Sequence, residues 1–105
     1  MSSESKDVIY YLRNYKKVAE KVKNIIHKFD PTARIYVFGS VVRGEYTAAS
    51  DIDILVVTDR LDKKYDMMTE VYHKVDGPIE LHVTTEETMQ RWYLKFIRED
   101  EIEEI

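Results

Sequence analysis

The 105-residue chain has no cysteine, which excludes disulfide frameworks and thiolate metal sites. Three glycines and two prolines are too few for a linker-rich or low-complexity protein, so each becomes a positional signal. No apolar run approaches the roughly 20 residues a membrane-spanning helix requires. The opening Met1-Ser2-Ser3-Glu4-Ser5-Lys6 lacks the apolar core of a signal peptide. Cytoplasmic residence is the resulting expectation. Excess positive charge is missing as well. The formal net charge of -4 argues against a sequence-independent nucleic-acid binder, which needs a basic face. What remains, 44% hydrophobic and 34% charged residues, is the composition of a globular chain. Its size suits one core, and 1–105 is read as a single domain.

The most informative stretch runs from Val37 to Val57. Ile35-Tyr36-Val37-Phe38 reads as a short buried strand, broken by Gly39-Ser40. Val41-Val42-Arg43 then forms one helical turn that Gly44 ends. Asp51 to Val57 is a second strand with two carboxylates at its entrance. Residues i and i+2 of a strand share a face, which sets Asp51 and Asp53 about 7 Å apart at Cα. Ile52, Ile54 and Val56 take the other face and enter a core. Paired carboxylates are unfavourable without a cation or proton between them. Magnesium suits such a pair, because it takes one or two carboxylates together with substrate phosphates. Gly39 lets the backbone come close, and the Ser40 hydroxyl and helix-start amides offer donors to phosphate. Together these residues describe a nucleotide site. Their bland alternatives are an ordinary strand-to-helix turn and two solvent-facing carboxylates, the second disfavoured because aspartate suits strands poorly.

Gly39-Ser40, ten intervening residues and Asp51-x-Asp53, with Arg43-Gly44 and Ser50 inside the interval, resemble the signature of nucleotidyltransferases of the DNA polymerase beta superfamily. The wording Gly-Ser-x-x-Arg-Gly…Ser-Asp-Ile-Asp is similar to that of minimal nucleotidyltransferase (MNT) domains. The resemblance implies two magnesium ions held by Asp51 and Asp53. It implies a triphosphate, with ATP favoured, on Gly39 and Ser40, and an Arg43 that either braces the triphosphate or pairs with an aspartate. It also implies a third carboxylate, usually aspartate, in a neighbouring strand as general base or metal ligand. Here that position falls on Glu80, one methylene longer.

The rest of the chain supplies the frame. Apolar residues at Val8, Ile9, Leu12, Tyr15, Ala19, Val22, Ile26 and Phe29 predict one helix over Lys6 to Phe29, with a lysine-rich outer face read as solvated. Asp59 to Lys74 is expected to be helical, burying Leu61, Tyr65, Met68, Val71 and Tyr72. Ile79 to Val83 alternates as a third strand, placing Glu80 and His82 on one face. His82 is read first as structural or exposed. Thr84-x-x-Glu87 is read as a capping box for a last helix with the stripe Met89, Trp92, Tyr93 and Phe96. The acidic tail, 98–105, extends that helix, docks on a partner or is mobile. The fold class is α/β, a small mixed sheet with helices on one side and the carboxylate face left open.

Without the additional helical domain of larger relatives, the acceptor has to come from elsewhere. MNT domains resemble antitoxins of HEPN-domain ribonuclease toxins, some of which transfer AMP to a toxin tyrosine. The expected function is therefore adenylyl transfer to a HEPN-type protein partner. The alternatives are a non-catalytic binding module and transfer to a small-molecule hydroxyl.

Overall fold

The structure, a computed structural model, describes residues 7–105. The expected fraying of the first five residues and the helix start at Lys6 lie outside the described residues. The first helical pattern is interrupted rather than continuous. Helix α1 (Val8–Arg13) and helix α2 (Tyr15–Ile26) meet at Asn14. Its backbone leaves helical geometry at φ -107°, ψ 34°, and its side-chain amide donates to the Tyr10 carbonyl at 2.8 Å. Asparagine competes with the helix for backbone partners in this way. An apolar periodicity does not register that.

Four strands follow: β1 (Arg34–Phe38), β2 (Ile52–Val57), β3 (Ile79–Thr84) and β4 (Ile102–Glu104). They form one mixed sheet in the order β3-β2-β1-β4, with β2 and β3 parallel and both other pairs antiparallel. The short helix α3 (Ser40–Arg43) links β1 towards β2, and helix α4 (Lys64–Lys74) carries the chain from β2 to β3. A parallel pair requires such a crossover.

Helices α1, α2 and α4 cover one sheet face. Leu12, Val22, Ile26, Met67 and Val71 pack there with Ile35, Val37, Ile52, Ile54 and Val56. Each fully buried aliphatic side chain of this kind stabilises the fold by roughly 1.5–3 kcal/mol. In α4 the buried pair is Met67 and Val71, whereas Leu61, Tyr65 and Tyr72 are exposed. Of the expected stripe, Val71 is buried and Met68 packs half-buried on the core, while Met67 enters it in place of Tyr65 and Leu61 falls in a separate 3₁₀ turn (Leu61–Lys63) ahead of α4.

The other face is covered at one end only. Thr84 closes β3, and Thr85, not Thr84, caps the next helical segment by accepting from the Thr88 amide at 3.2 Å. Helix α5 (Glu86–Thr88) runs into a π-helical turn (Met89–Tyr93) and helix α6 (Leu94–Phe96). This segment sets Met89, with Tyr93 beside it, over Tyr36, Leu55 and Val57. The mixed sheet with helices is as expected, but the last segment lies on the carboxylate side and leaves only the Asp53 end of that face open.

The acidic tail is part of the sheet. Ile102 pairs with Phe38 and Glu104 with Tyr36 on β1. Ile102 packs on the Tyr36–Leu55 cluster and Ile105 on the main core, so both isoleucines are placed within the fold. The basic face of α2 holds this strand: Tyr15 donates to the Glu103 carboxylate at 2.5 Å, Lys16 lies 3.5 Å from it, and Lys23 donates to the Ile105 carbonyl at 3.0 Å. Burial, then the hydrogen bond and charge of Glu103, push the Tyr15 phenol up to about 12. A raised pKa contributes stability below the unfolded value, near 10, and that contribution is lost as pH rises through 10 to 12. The stability difference between the native chain and Tyr15→Phe should therefore shrink across that window in urea unfolding. A difference constant from pH 9 to 12 would contradict this assignment.

Candidate active site

The parallel register sets Asp53 beside Glu80, and the antiparallel register sets it beside Phe38. Asp53 and Glu80 therefore share a sheet face, as does His82 two residues along β3. One ligand atom from each of Asp53, Glu80 and His82 lies within 4.8 Å of the others. His82 Nε2 is 3.5 Å from Glu80 Oε1 and 3.8 Å from Asp53 Oδ1. Its ring is held by Phe38 and Tyr93, at centroid distances of 5.5 and 5.9 Å. The Asp53 carboxylate is 28% exposed and that of Glu80 55%, so both are open to solvent and ligand.

The Gly39-Ser40 turn lies on the β1 side of Asp53. Gly39 adopts φ +91°, ψ -158°, a region essentially reserved for glycine. A Cβ at this position would stand 2.8 Å from Asp53 Oδ2, so the turn and the carboxylate can be this close only with glycine. The Gly39 amide donates to the Glu101 carbonyl at 3.0 Å, immediately before β4. Ser40 opens α3, and Gly44 ends it in the left-handed conformation at φ +75°. Gly39→Ala is expected to destabilise the fold by about 1–3 kcal/mol and to displace Asp53. Gly44→Ala, where nothing lies within 4 Å of the added carbon, carries only the backbone cost of about 1–2 kcal/mol. Calorimetry should find magnesium–triphosphate affinity reduced in the first variant and native-like in the second. Equal affinities would contradict the close approach at Gly39.

Arg43 is engaged by its own neighbourhood. Its guanidinium donates to Glu45 at 2.8 Å and meets Glu101 at 2.9 Å. It ties α3 to the segment that leads into β4. Its ion-pair partners are these two glutamates rather than an aspartate. Asp51 is exposed and sits one residue before β2. Among the described residues, the candidate metal cluster contains Asp53, Glu80 and His82. His82 is the member that its lone position on a strand did not single out. Its i+2 spacing from Glu80 was the available signal.

The donor set suits a divalent cation: two carboxylates and an imidazole converge at one end of an open face, and Asp51 stands at the same end of β2. The site thus sets a Gly-Ser turn against one side of Asp53 and a glutamate on the other. The sequence model of the nucleotidyltransferase domain family matches residues 19–105, and the chain belongs to that family. A Methanocaldococcus jannaschii protein named "putative protein adenylyltransferase" is 41% identical over 59 residues. That match spans 55% of this chain and 59% of the relative, so the chain covers little more than half of that protein's length. Two solved structures share the fold. One, described as a "putative nucleotidyltransferase", superposes with a TM-score of 0.67 at 31% identity, over 82% of this chain and 95% of the other. The second, a Sulfolobus solfataricus protein of the same description, gives 0.59 at 28% identity, over 87% and 85%. No helix among the described residues is long and apolar enough to cross a membrane.

Proposed function

We propose that this nucleotidyltransferase moves a nucleoside monophosphate, AMP by preference, from a triphosphate to a hydroxyl on a protein partner. The observation that carries the reading is the close approach of the Gly39 turn to Asp53, with Glu80 beside it on β3. Asp51, Asp53 and Glu80 would hold magnesium, as two ions, which when bound supplies positive charge to the phosphate oxygens. His82 stands within reach of the same position. The Gly39-Ser40 turn, with the Ser40 hydroxyl as donor, receives the terminal phosphates, and Arg43 holds that turn to the Glu101 segment. Glu80 takes the proton from the acceptor hydroxyl. The acceptor oxygen forms a bond to the α-phosphorus while the bond from that phosphorus to the bridging oxygen breaks. Pyrophosphate leaves with the electron pair.

A protein acceptor is supported by the relative named as a protein adenylyltransferase. The partner we favour is of the HEPN type, which the modification would neutralise in a toxin–antitoxin pair. Incubation with magnesium, each α-labelled triphosphate and a source lysate tests the acceptor class. Label in a protein band, greatest with ATP, is expected. Label confined to RNA or to a small molecule would overturn the protein acceptor.

A further inference from the structure

One residue of the acidic tail, Glu101, grips the Gly39-Ser40 turn and α3 at both ends. Its carbonyl accepts from the Gly39 amide at 3.0 Å, and its carboxylate lies 2.9 Å from Arg43 Nη1 at the far end of α3. The next residue, Ile102, pairs with Phe38, the last residue before the turn. The Glu101 side chain is only 15% exposed, the least of any ion-paired carboxylate among the described residues. A carboxylate is seldom drawn that far from water without a partner to hold it. The strand that follows is fixed in turn, by Tyr15 and Lys16 on Glu103 and by Lys23 on the Ile105 carbonyl. Glu101 is therefore presented from a firm support. Arg43 is one cation between two carboxylates, with Nε on Glu45 and Nη1 on Glu101, so its charge is more than offset locally. Movement of this turn reaches the metal site, because a single added carbon at Gly39 would stand 2.8 Å from Asp53 Oδ2.

We infer that Glu101 is a positioning residue for the triphosphate: it holds the Gly39-Ser40 turn against Asp53, and Arg43 acts on the triphosphate only through it. The inference rests on nucleotidyl transfer as proposed above. It separates two roles that an arginine beside a phosphate-binding turn can have, and the two predict opposite signs. An arginine that braces the triphosphate is competed for by Glu101, so loosening the Glu101 contact would leave binding unchanged or strengthen it. An arginine that ties the turn to Glu101 loses its effect with that contact, so loosening it weakens binding. The second follows from the geometry, since donors to phosphate act through preorganisation and lose effect when displaced.

Glu101→Asp is the informative variant. It keeps the charge and the backbone carbonyl but withdraws the carboxylate by one methylene, so the repulsion felt by the phosphates stays nearly the same. Calorimetry with magnesium and a non-hydrolysable ATP analogue should show affinity about fivefold weaker than native. Arg43→Gln should weaken it by a similar factor. The double variant should be no weaker than Arg43→Gln alone, because both changes break one tie. Glu103→Gln, on the same strand and engaged with Tyr15 and Lys16, controls for loosening of the strand as such. It should lower the urea midpoint and leave affinity native. Native or tighter binding in Glu101→Asp would overturn the inference. So would a loss of about 25-fold in the double variant, the product of independent effects, or a loss in Glu103→Gln equal to that in Glu101→Asp. Failure of the native protein to bind the analogue would instead overturn nucleotidyl transfer itself, and the positioning role with it.

Discussion

Replacing Asp51 and Asp53 together by asparagine is expected to abolish metal-dependent triphosphate binding and to leave the fold intact. Asp53 on β2 and Asp51 just before it both lie outside the two apolar clusters. Asparagine keeps their shape and removes two like charges, so the metal-free protein should be no less stable than the native one. Calorimetry with magnesium and a non-hydrolysable triphosphate would read the loss, and urea unfolding the stability. Native affinity in the double variant would refute the metal assignment. The single variants should separate the two positions. Asp53 is wedged between the Gly39 turn and Glu80, so Asp53→Asn should cost more affinity than Asp51→Asn.

Glu80→Gln is expected to separate binding from chemistry. The amide cannot accept the hydroxyl proton, so transfer should fall by a factor on the order of 10²–10⁴. Triphosphate affinity should fall far less, because Asp51 and Asp53 remain. His82 Nε2, 3.5 Å from Glu80, is the neighbour best placed to rescue residual activity, so Glu80→Gln with His82→Ala should fall below Glu80→Gln alone. Single-turnover kinetics with saturating triphosphate measures both. Unchanged transfer in Glu80→Gln would remove it from the chemistry.

The site was legible where it depends on strand alternation and glycine. The Ser40–Arg43 turn and its Gly44 stop follow from spacing and residue type, whereas Glu80 came from the resemblance and faces Asp53 because β2 and β3 pair. What spacing could not supply is long-range pairing. Glu101 and Glu103 read as members of an acidic tail. Their partners, the Gly39 amide, Arg43, Tyr15 and Lys16, lie between 58 and 88 positions earlier in the chain. A three-residue edge strand carries too little pattern to announce itself. The covered end of the carboxylate face had a signal that strict alternation obscured. Ile54-Leu55-Val56-Val57 is continuously apolar, the mark of a strand buried on both faces, and Met89 lies over Leu55 and Val57. The interruption at Asn14 and the exposed Trp92 escaped for the same reason. Both depend on local backbone departures, a helix break and a π turn, that an ideal 3.6-residue period does not contain.

The fate of two labels tests nucleotidyl transfer most directly. The protein, magnesium, a source lysate and ATP labelled at either the α- or the γ-phosphorus should give covalent transfer of the α label alone. The γ label should appear in pyrophosphate in equal amount, and both signals should vanish in Asp53→Asn or with chelator. Transfer of the γ label, or release of pyrophosphate that persists in Asp53→Asn, would contradict the account.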